Sequence, residues 1–202
     1  ALSPDSDAKY DDTVDVDIGD LEPLIACPSS PDNVKPVSEV AGTEVAQVAV
    51  GSSVNSSFRD LSIVAHALDG KYIAPGIAVA VSPGSRQTLL LMLMSGLMTK
   101  LIKAGVRELE VACGPCIGMG FAPPTGGPSV RTFNRNFEGR SGTPNDLVYL
   151  CSPETAAATA LKGKITDPRD LGKMPQLKEP TKYPVDTSGY EWPPKERRGI
   201  EI

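Results

Sequence analysis

The sequence predicts an α/β fold: a mostly parallel sheet with helices on both faces, in three layers. Three observations carry this. Between residues 44 and 112, short apolar runs of strand length alternate with segments of helical period. Each run closes in a turn rich in Gly, Ser or Pro. Aromatic residues make up only 5% of a chain that is 40% hydrophobic, so Val, Leu, Ile, Ala and Met must fill the core. Strand–helix–strand alternation is the pattern of parallel sheets covered by helices, and 202 residues are enough for one well-buried core.

Taken in order, residues 1–43 form an N-terminal arm. Its first twenty residues carry seven Asp and few apolar side chains, which predicts a mobile start. Three prolines between Ile18 and Asn33 forbid a regular helix and predict an extended segment laid over the domain. A linker from a preceding domain would read the same way. The α/β domain spans 44–165. Glu44 to Gly51 reads as a buried strand. Ser57-Phe-Arg-Asp60 has capping-box spacing, and Leu61, Val64, Ala65 and Leu68 continue a helix that Asp69-Gly70 stops. Ile77 to Val81 is the second strand, closed by Ser82-Pro-Gly-Ser85. A long helix is expected from about Arg86 to Lys103, with the Leu/Met run 89–94 in the core. A third strand around Leu109 and Val111 delivers Cys113. Two short strands, Ser129 to Phe133 and Leu147 to Leu150, follow. Ser152 caps a helix that Pro153 opens, alanines fill and Gly163 ends. From 166 to 202, six prolines follow Asp167, which predicts a semi-extended linker towards a further domain.

Composition excludes several classes. A net charge of −5 and a pI near 5.0 give no electrostatic reason to bind nucleic acid or an anionic membrane. The longest apolar run, Leu89 to Met94, is far too short to span a bilayer. The start Ala1-Leu-Ser-Pro has no basic, apolar leader, and four cysteines are too few for a secreted disulfide scaffold. A cytoplasmic protein is expected.

In parallel sheets, ligands bind at the carboxyl ends of the strands. The predicted order brings Ser52-Ser-Val-Asn-Ser56, Ser82-Pro-Gly-Ser85 and Cys113-Gly-Pro-Cys116 to one rim. The cysteine pair admits three chemical readings. A thioredoxin-like redox pair needs a helix starting at the first cysteine, and the following Ile-Gly-Met-Gly-Phe-Ala-Pro-Pro cannot sustain one. Half of a zinc site lacks its partner ligands, His66 being the single histidine. Two ligands of an iron–sulfur cluster need a third from elsewhere. The reading without chemistry is a pair of buried thiols in a glycine turn. Arg135 and Arg140 either lie on a solvated loop or bind carboxylates with their forks. Cys27 and Cys151 lack ligand spacing and read as small buried hydrophobes, and His66 as packing or surface.

Gly51-Ser-Ser-Val-Asn-Ser56, Ala74-Pro-Gly76, Ser82-Pro-Gly-Ser85, Cys113-Gly-Pro-Cys-Ile-Gly118, Asn134-Arg-Asn-Phe-Glu-Gly-Arg140 and Ser152-Pro153 together resemble the aconitase family. Their order is that of its cluster-bearing third domain, over residues 20 to 168. The closing Arg198-Gly-Ile-Glu-Ile resembles the run-in to its swivelling fourth domain. The resemblance implies a hydro-lyase acting on a tri- or dicarboxylic hydroxy acid, with citrate/isocitrate and the tricarboxylic acid cycle as the leading expectation. A domain of a 3-isopropylmalate or homoaconitate dehydratase, or a homologue without its cluster, is the alternative. In the family, three cysteines hold a 4Fe-4S cluster and leave one iron free as a Lewis acid. Cys113 and Cys116 match two of those ligands. Arg135 and Arg140 match substrate-contacting arginines, and Asn134 an asparagine near the cluster. The family's Gly-Ser-Cys-Thr-Asn-Ser is here Gly51-Ser-Ser-Val-Asn-Ser56, so Ser53 stands where the third cysteine is expected. A hydroxyl is a harder, weaker ligand for a sulfide cluster. The family's catalytic base comes from elsewhere, which implies that the remaining aconitase domains, in the same or another chain, complete the site. No catalytic residue is expected in this chain.

Overall fold

In the computed structural model, residues 3–173, 177, 180, 181, 183 and 187–193 are described. A seven-stranded sheet runs in the order β2-β1-β7-β6-β3-β4-β5. Its strands are β1 (Leu24–Ala26), β2 (Val34–Pro36), β3 (Gln47–Gly51), β4 (Ala78–Ser82), β5 (Arg107–Glu108), β6 (Pro128–Arg131) and β7 (Leu147–Leu150). The five strands β7, β6, β3, β4 and β5 pair parallel, and β1 joins β7 antiparallel. The mostly parallel α/β sheet is therefore as predicted.

The helices are α1 (Val37–Val40), α2 (Phe58–Ala67), α3 (Arg86–Met94), α4 (Leu97–Lys103) and α5 (Pro153–Lys162). The two faces of the sheet are covered differently. Strand alternation sends Val48, Val50, Val79, Val81 and Val130 to one side, where they meet Leu61, Val64, Leu68, Met98, Leu101 and Ala157 of the helices. On this side α2 packs against α3, α4 and α5. Ala156, Ala157, Ala158 and Ala160 of α5 are buried, and small side chains let its backbone approach the sheet closely. The other side carries Ala49 and Ala80, packed only with Cys116, Phe121 and Phe133 in its buried cluster. Its cover is a 3-10 turn, Gly114–Ile117, with irregular chain around it. Each fully buried large aliphatic side chain contributes about 1.5–3 kcal/mol. The helix side therefore carries most of the stability, and the loop side is free to be polar.

Several elements differ from the sequence expectation. The proline-rich arm is not merely laid over the domain. Leu24–Ala26 and Val34–Pro36 form a hairpin that extends the sheet and buries Ile25 and Cys27. The expected long helix is two helices, because Gly96 takes a left-handed conformation (φ 73°) that breaks the ladder. In the 89–94 run only Met92 is buried, while Leu90, Leu93 and Met94 are exposed. That run sits at the outer margin of the helix layer, packed on one side against α2 and α4. The third strand is only Arg107–Glu108, since Ser82 Oγ draws the chain aside by donating to the carbonyls of Glu110 (2.9 Å) and Ala112 (3.3 Å). The capping box of Ser57 and Asp60 forms as read, as do β7 and the Ser152-capped helix α5. A second 3-10 turn, Pro168–Leu171, begins the expected linker. The Arg198–Ile202 match lies outside the described residues.

One contact fixes the strand ends. Gly51 has φ 106°, and a Cβ there would stand 2.0 Å from the Ser82 carbonyl oxygen. Gly51→Ala is expected to lower unfolding stability by about 3 kcal/mol, as left-handed strain and a backbone clash combine. Chemical denaturation followed by circular dichroism checks it, with Gly70→Ala, whose Cβ meets open space, as the milder comparison.

Candidate functional site

Three loops meet at the carboxyl ends of the parallel strands. The first follows β3. Ser52 N–H donates to the Ser82 carbonyl (2.9 Å) and Ser56 Oγ to that of Ser52 (2.6 Å). Asn55 Nδ2 donates to the Thr132 carbonyl (2.6 Å), while Thr132 Oγ1 accepts from Gly51 N–H (2.9 Å). Ser52 and Asn55 both sit at positive φ, 73° and 51°. Such strain in non-glycine residues gathers at functional sites.

The second loop carries the cysteines. Cys113 caps the 3-10 turn, Cys116 N–H bonds the Cys113 carbonyl (3.2 Å), and Gly118 (φ 88°) ends the turn at once. The chain makes a single 3-10 turn here, and glycine stops it before the stretch from Ile117 onward can continue it as an α-helix. The third loop carries Arg140. Buried Asp146 accepts from the backbone N–H groups of Gly139 and Ser141 (both 2.8 Å) and from Ser141 Oγ, shaping the turn that presents the arginine. The second and third loops touch backbone to backbone. A Cβ on Gly118 would stand 2.2 Å from the Ser141 carbonyl oxygen, and one on Gly142 2.8 Å from that of Ile117.

Beneath them lies Arg131, only 1% exposed. Its Nε donates to Ser129 Oγ (2.9 Å), Nη1 to the Pro115 carbonyl (3.1 Å), and Nη2 to Gln47 Oε1 (2.8 Å) and the Phe121 carbonyl (3.1 Å). Its guanidinium carbon lies 5.4 Å from the Phe133 ring centre. Burial pulls this guanidinium down to about 10, still far above neutrality, so it remains charged.

The sequence-predicted residues separate into those the fold gathers and those it leaves on the rim. Cys113 is exposed and receives a hydrogen bond from Ser52 Oγ (3.6 Å). Ser53 is exposed beside it, and the two line a cavity of about 220 Å³ with Ser52, Pro83, Gly84, Val111 and Ala112. Cys116 is buried, and Arg140 donates to its sulfur and to its carbonyl oxygen, both at 3.4 Å. Arg140 therefore faces the cysteine loop. Asn134 and Arg135 stand exposed on the stretch after β6. Cys27 and Cys151 belong to the helix-side core, across the sheet from the pair. Sequence reasoning missed Arg131, Asp146 and Asn136. Arg131 carried a signal: a charged residue inside a predicted strand, at a position facing the glycine- and proline-rich loop.

The thiols of the pair differ. The Ser52 hydrogen bond holds Cys113 below its ordinary value against a smaller opposing effect of desolvation, with Ser53 and Arg140 adding to it. Burial pushes Cys116 up, although Arg140 pulls the other way. Among the described residues no three His, Cys, Asp or Glu side chains gather to hold a metal. The rim's donors are two thiols and neighbouring hydroxyls. Thiols are soft donors of the kind an iron–sulfur centre takes, and hydroxyls are harder ones.

A model of the aconitase family (aconitate hydratase) matches residues 1–163. The chain belongs to that family. It is similar to a probable 3-isopropylmalate dehydratase large subunit of Methanosarcina mazei, 44% identical over 83% of this chain and 40% of the relative. A probable methanogen homoaconitase large subunit of the same organism is 46% identical over 83% and 42%. A 3-isopropylmalate dehydratase large subunit of Caldivirga maquilingensis is 46% identical over 83% and 40%. The chain thus spans about two fifths of the length of the curated relatives it matches.

Exposure and thiol acidity together order the cysteines. A lowered pKa moves the thiolate fraction of Cys113 to lower pH, and a raised one moves that of Cys116 to higher pH. Timed iodoacetamide labelling read by peptide mass spectrometry is expected to modify Cys113 first across pH 6–9, roughly the window around an ordinary thiol pKa. Ser52→Ala is expected to shift the Cys113 profile to higher pH.

Proposed function

We propose that this chain is the cluster- and substrate-binding platform of a hydro-lyase of the 3-isopropylmalate dehydratase or homoaconitase kind. The observation that carries the reading is the meeting of Cys113, Cys116, Ser53 and Arg140 at one rim of an aconitase-family sheet. Citrate/isocitrate and the tricarboxylic acid cycle give way here. The relatives just described are named as 3-isopropylmalate dehydratases and a homoaconitase, so the alternative expectation fits better.

Cys113 and Cys116 would hold a 4Fe-4S cluster as thiolates, with the Ser53 hydroxyl at the third position. When bound, such a cluster supplies a Lewis-acidic iron that polarises a hydroxyl or carboxylate oxygen. The remaining work belongs to side chains of the chain itself. Arg135 stands exposed at the rim, where it would meet a carboxylate of a hydroxy acid, and Asn134 beside it can donate an amide hydrogen bond. Arg140, whose fork lies on Cys116, would offer a second carboxylate a partner beside the cysteine turn. Gly84 lets the loop after β4 close on the serine turn, since a Cβ there would run into Ser56, and Gly84 and Ala112 both line the cavity. A proton-transferring base is expected from the remaining domains, in the same or another chain. Residues 44–165 would form the platform and 166–202 the connection onward. Four free thiols suit a reducing compartment, hence the cytoplasm. Among the described residues no helix is long and apolar enough to cross a membrane.

Anaerobic reconstitution with iron and sulfide, read by visible absorbance and metal analysis, tests the reading. Uptake of about four irons per chain, abolished in Cys113→Ala/Cys116→Ala, is the expected outcome. Uptake only by Ser53→Cys would instead identify a homologue that has lost its cluster. Without the other domains the chain is expected to show no turnover of 3-isopropylmalate; measurable dehydration by it alone would refute the platform reading.

A further inference from the structure

A buried cation normally has a carboxylate partner, because leaving water is expensive for a charge. Arg131 is buried, yet the oxygens it bonds are all uncharged: one hydroxyl, one amide and two backbone carbonyls. Its geometry explains what that arrangement achieves. Ser129 and Gln47 stand opposite one another in the β3–β6 register, and Ser129 Oγ donates to Gln47 Oε1 (2.7 Å). This pair fixes the guanidinium on the sheet. The remaining bonds reach the carbonyls of Pro115, inside the cysteine turn, and Phe121, where the loop returns to the sheet. Gln47 Nε2 joins in, donating to the Phe121 (3.3 Å) and Ala122 (3.1 Å) carbonyls. The loop between them is therefore pinned at both ends by one planar fork. From the far side Arg140 takes the next carbonyl along, that of Cys116.

We infer that Arg131 is a positioning residue: its fork fixes the cysteine turn from beneath, so that Cys116 is held in register with Cys113 for a shared soft ligand. This deepens the platform reading and rests on it for the identity of the ligand. Lysine cannot replace the fork, since one ammonium at the end of a flexible stem does not reach two carbonyls in fixed directions. The neutral partners also have a consequence. Cys116 lies within electrostatic reach of Arg140 first and of Arg131 after it. A thiolate at that position therefore lies in the field of a fixed cation that no carboxylate bonds.

The four cysteines provide the test without requiring iron or substrate, so it remains readable even if no cluster forms. In the full chain, iodoacetamide labelling of Cys116 reports opening of the turn, and labelling of Cys27, in the helix-side core, reports global unfolding. Arg131→Met and Arg131→Lys are both expected to speed Cys116 labelling by roughly ten- to a hundredfold, the range for losing charge-assisted hydrogen bonds. Cys27 labelling should be unchanged. Ser129→Ala, which removes one acceptor and leaves the arginine in place, should give a smaller increase, and it keeps the test open if the Arg131 variants fold poorly. Three results would overturn the inference. Unchanged Cys116 labelling in Ser129→Ala and the folded Arg131 variants would show that the turn holds itself. Cys116 and Cys27 rising together would make Arg131 a residue of general stability. Full rescue by lysine would show that charge, and not the two-carbonyl grip, is what the site requires.

Discussion

The grip of Arg131 on the Pro115 and Phe121 carbonyls is the constraint on which the loop side of this protein depends. Residues Gly114 to Gly127 contain five glycines and three prolines, and only four of these residues form a 3-10 turn. Such a segment has little regular hydrogen bonding of its own, so its carbonyls need outside donors. A single guanidinium supplies several in one rigid plane. The cost of burying that charge is offset by the bonds to it and by the large aliphatic core across the sheet. The division of labour between the two faces follows: one holds the protein together, and the other carries the cysteine loop.

A second polar anchor ties the remaining edge to the site. Asn136 is fully buried, and its Nδ2 donates to the carbonyls of Cys27 (2.8 Å), Val148 (3.2 Å) and Ser30 (3.3 Å). One amide therefore joins the N-terminal hairpin, β7 and the arginine segment. Exposed Asn134 and Arg135 are held on a stretch whose next residue is locked inside the protein. A rim residue can thus face solvent and still have a defined origin.

The local signals legible in the sequence were those with a strict chemical grammar. Ser57 and Asp60, Ser152 and Pro153, and Gly163 marked helix ends correctly because caps depend on neighbouring residues alone. The valines of β3 and β4 announced buried parallel strands. What was not legible depended on distant parts of the chain. The run 89–94 is apolar, but its burial was decided by where α3 falls in the helix layer. The arm's prolines argued against helix, and only the open edge of β7 made its ends into strands. Arg135 and Arg140 looked equivalent in sequence. The Asp146-shaped turn brings one to Cys116 and leaves the other at the rim. Arg131 showed only as a charge inside a predicted strand; its role was hidden because its partners lie up to 84 positions away.

The ends of the sheet have a consequence for the chain when it is handled by itself. The outer strand β2 is three residues long and includes Lys35 and Pro36, and the opposite outer strand β5 is two residues, both charged. Proline has no N–H to offer a neighbouring strand, and lysine resists being covered. Neither border presents a long row of unpaired peptide groups on which another molecule could stack. The protein is thereby guarded against strand-by-strand aggregation at the two places where a sheet is most exposed to it.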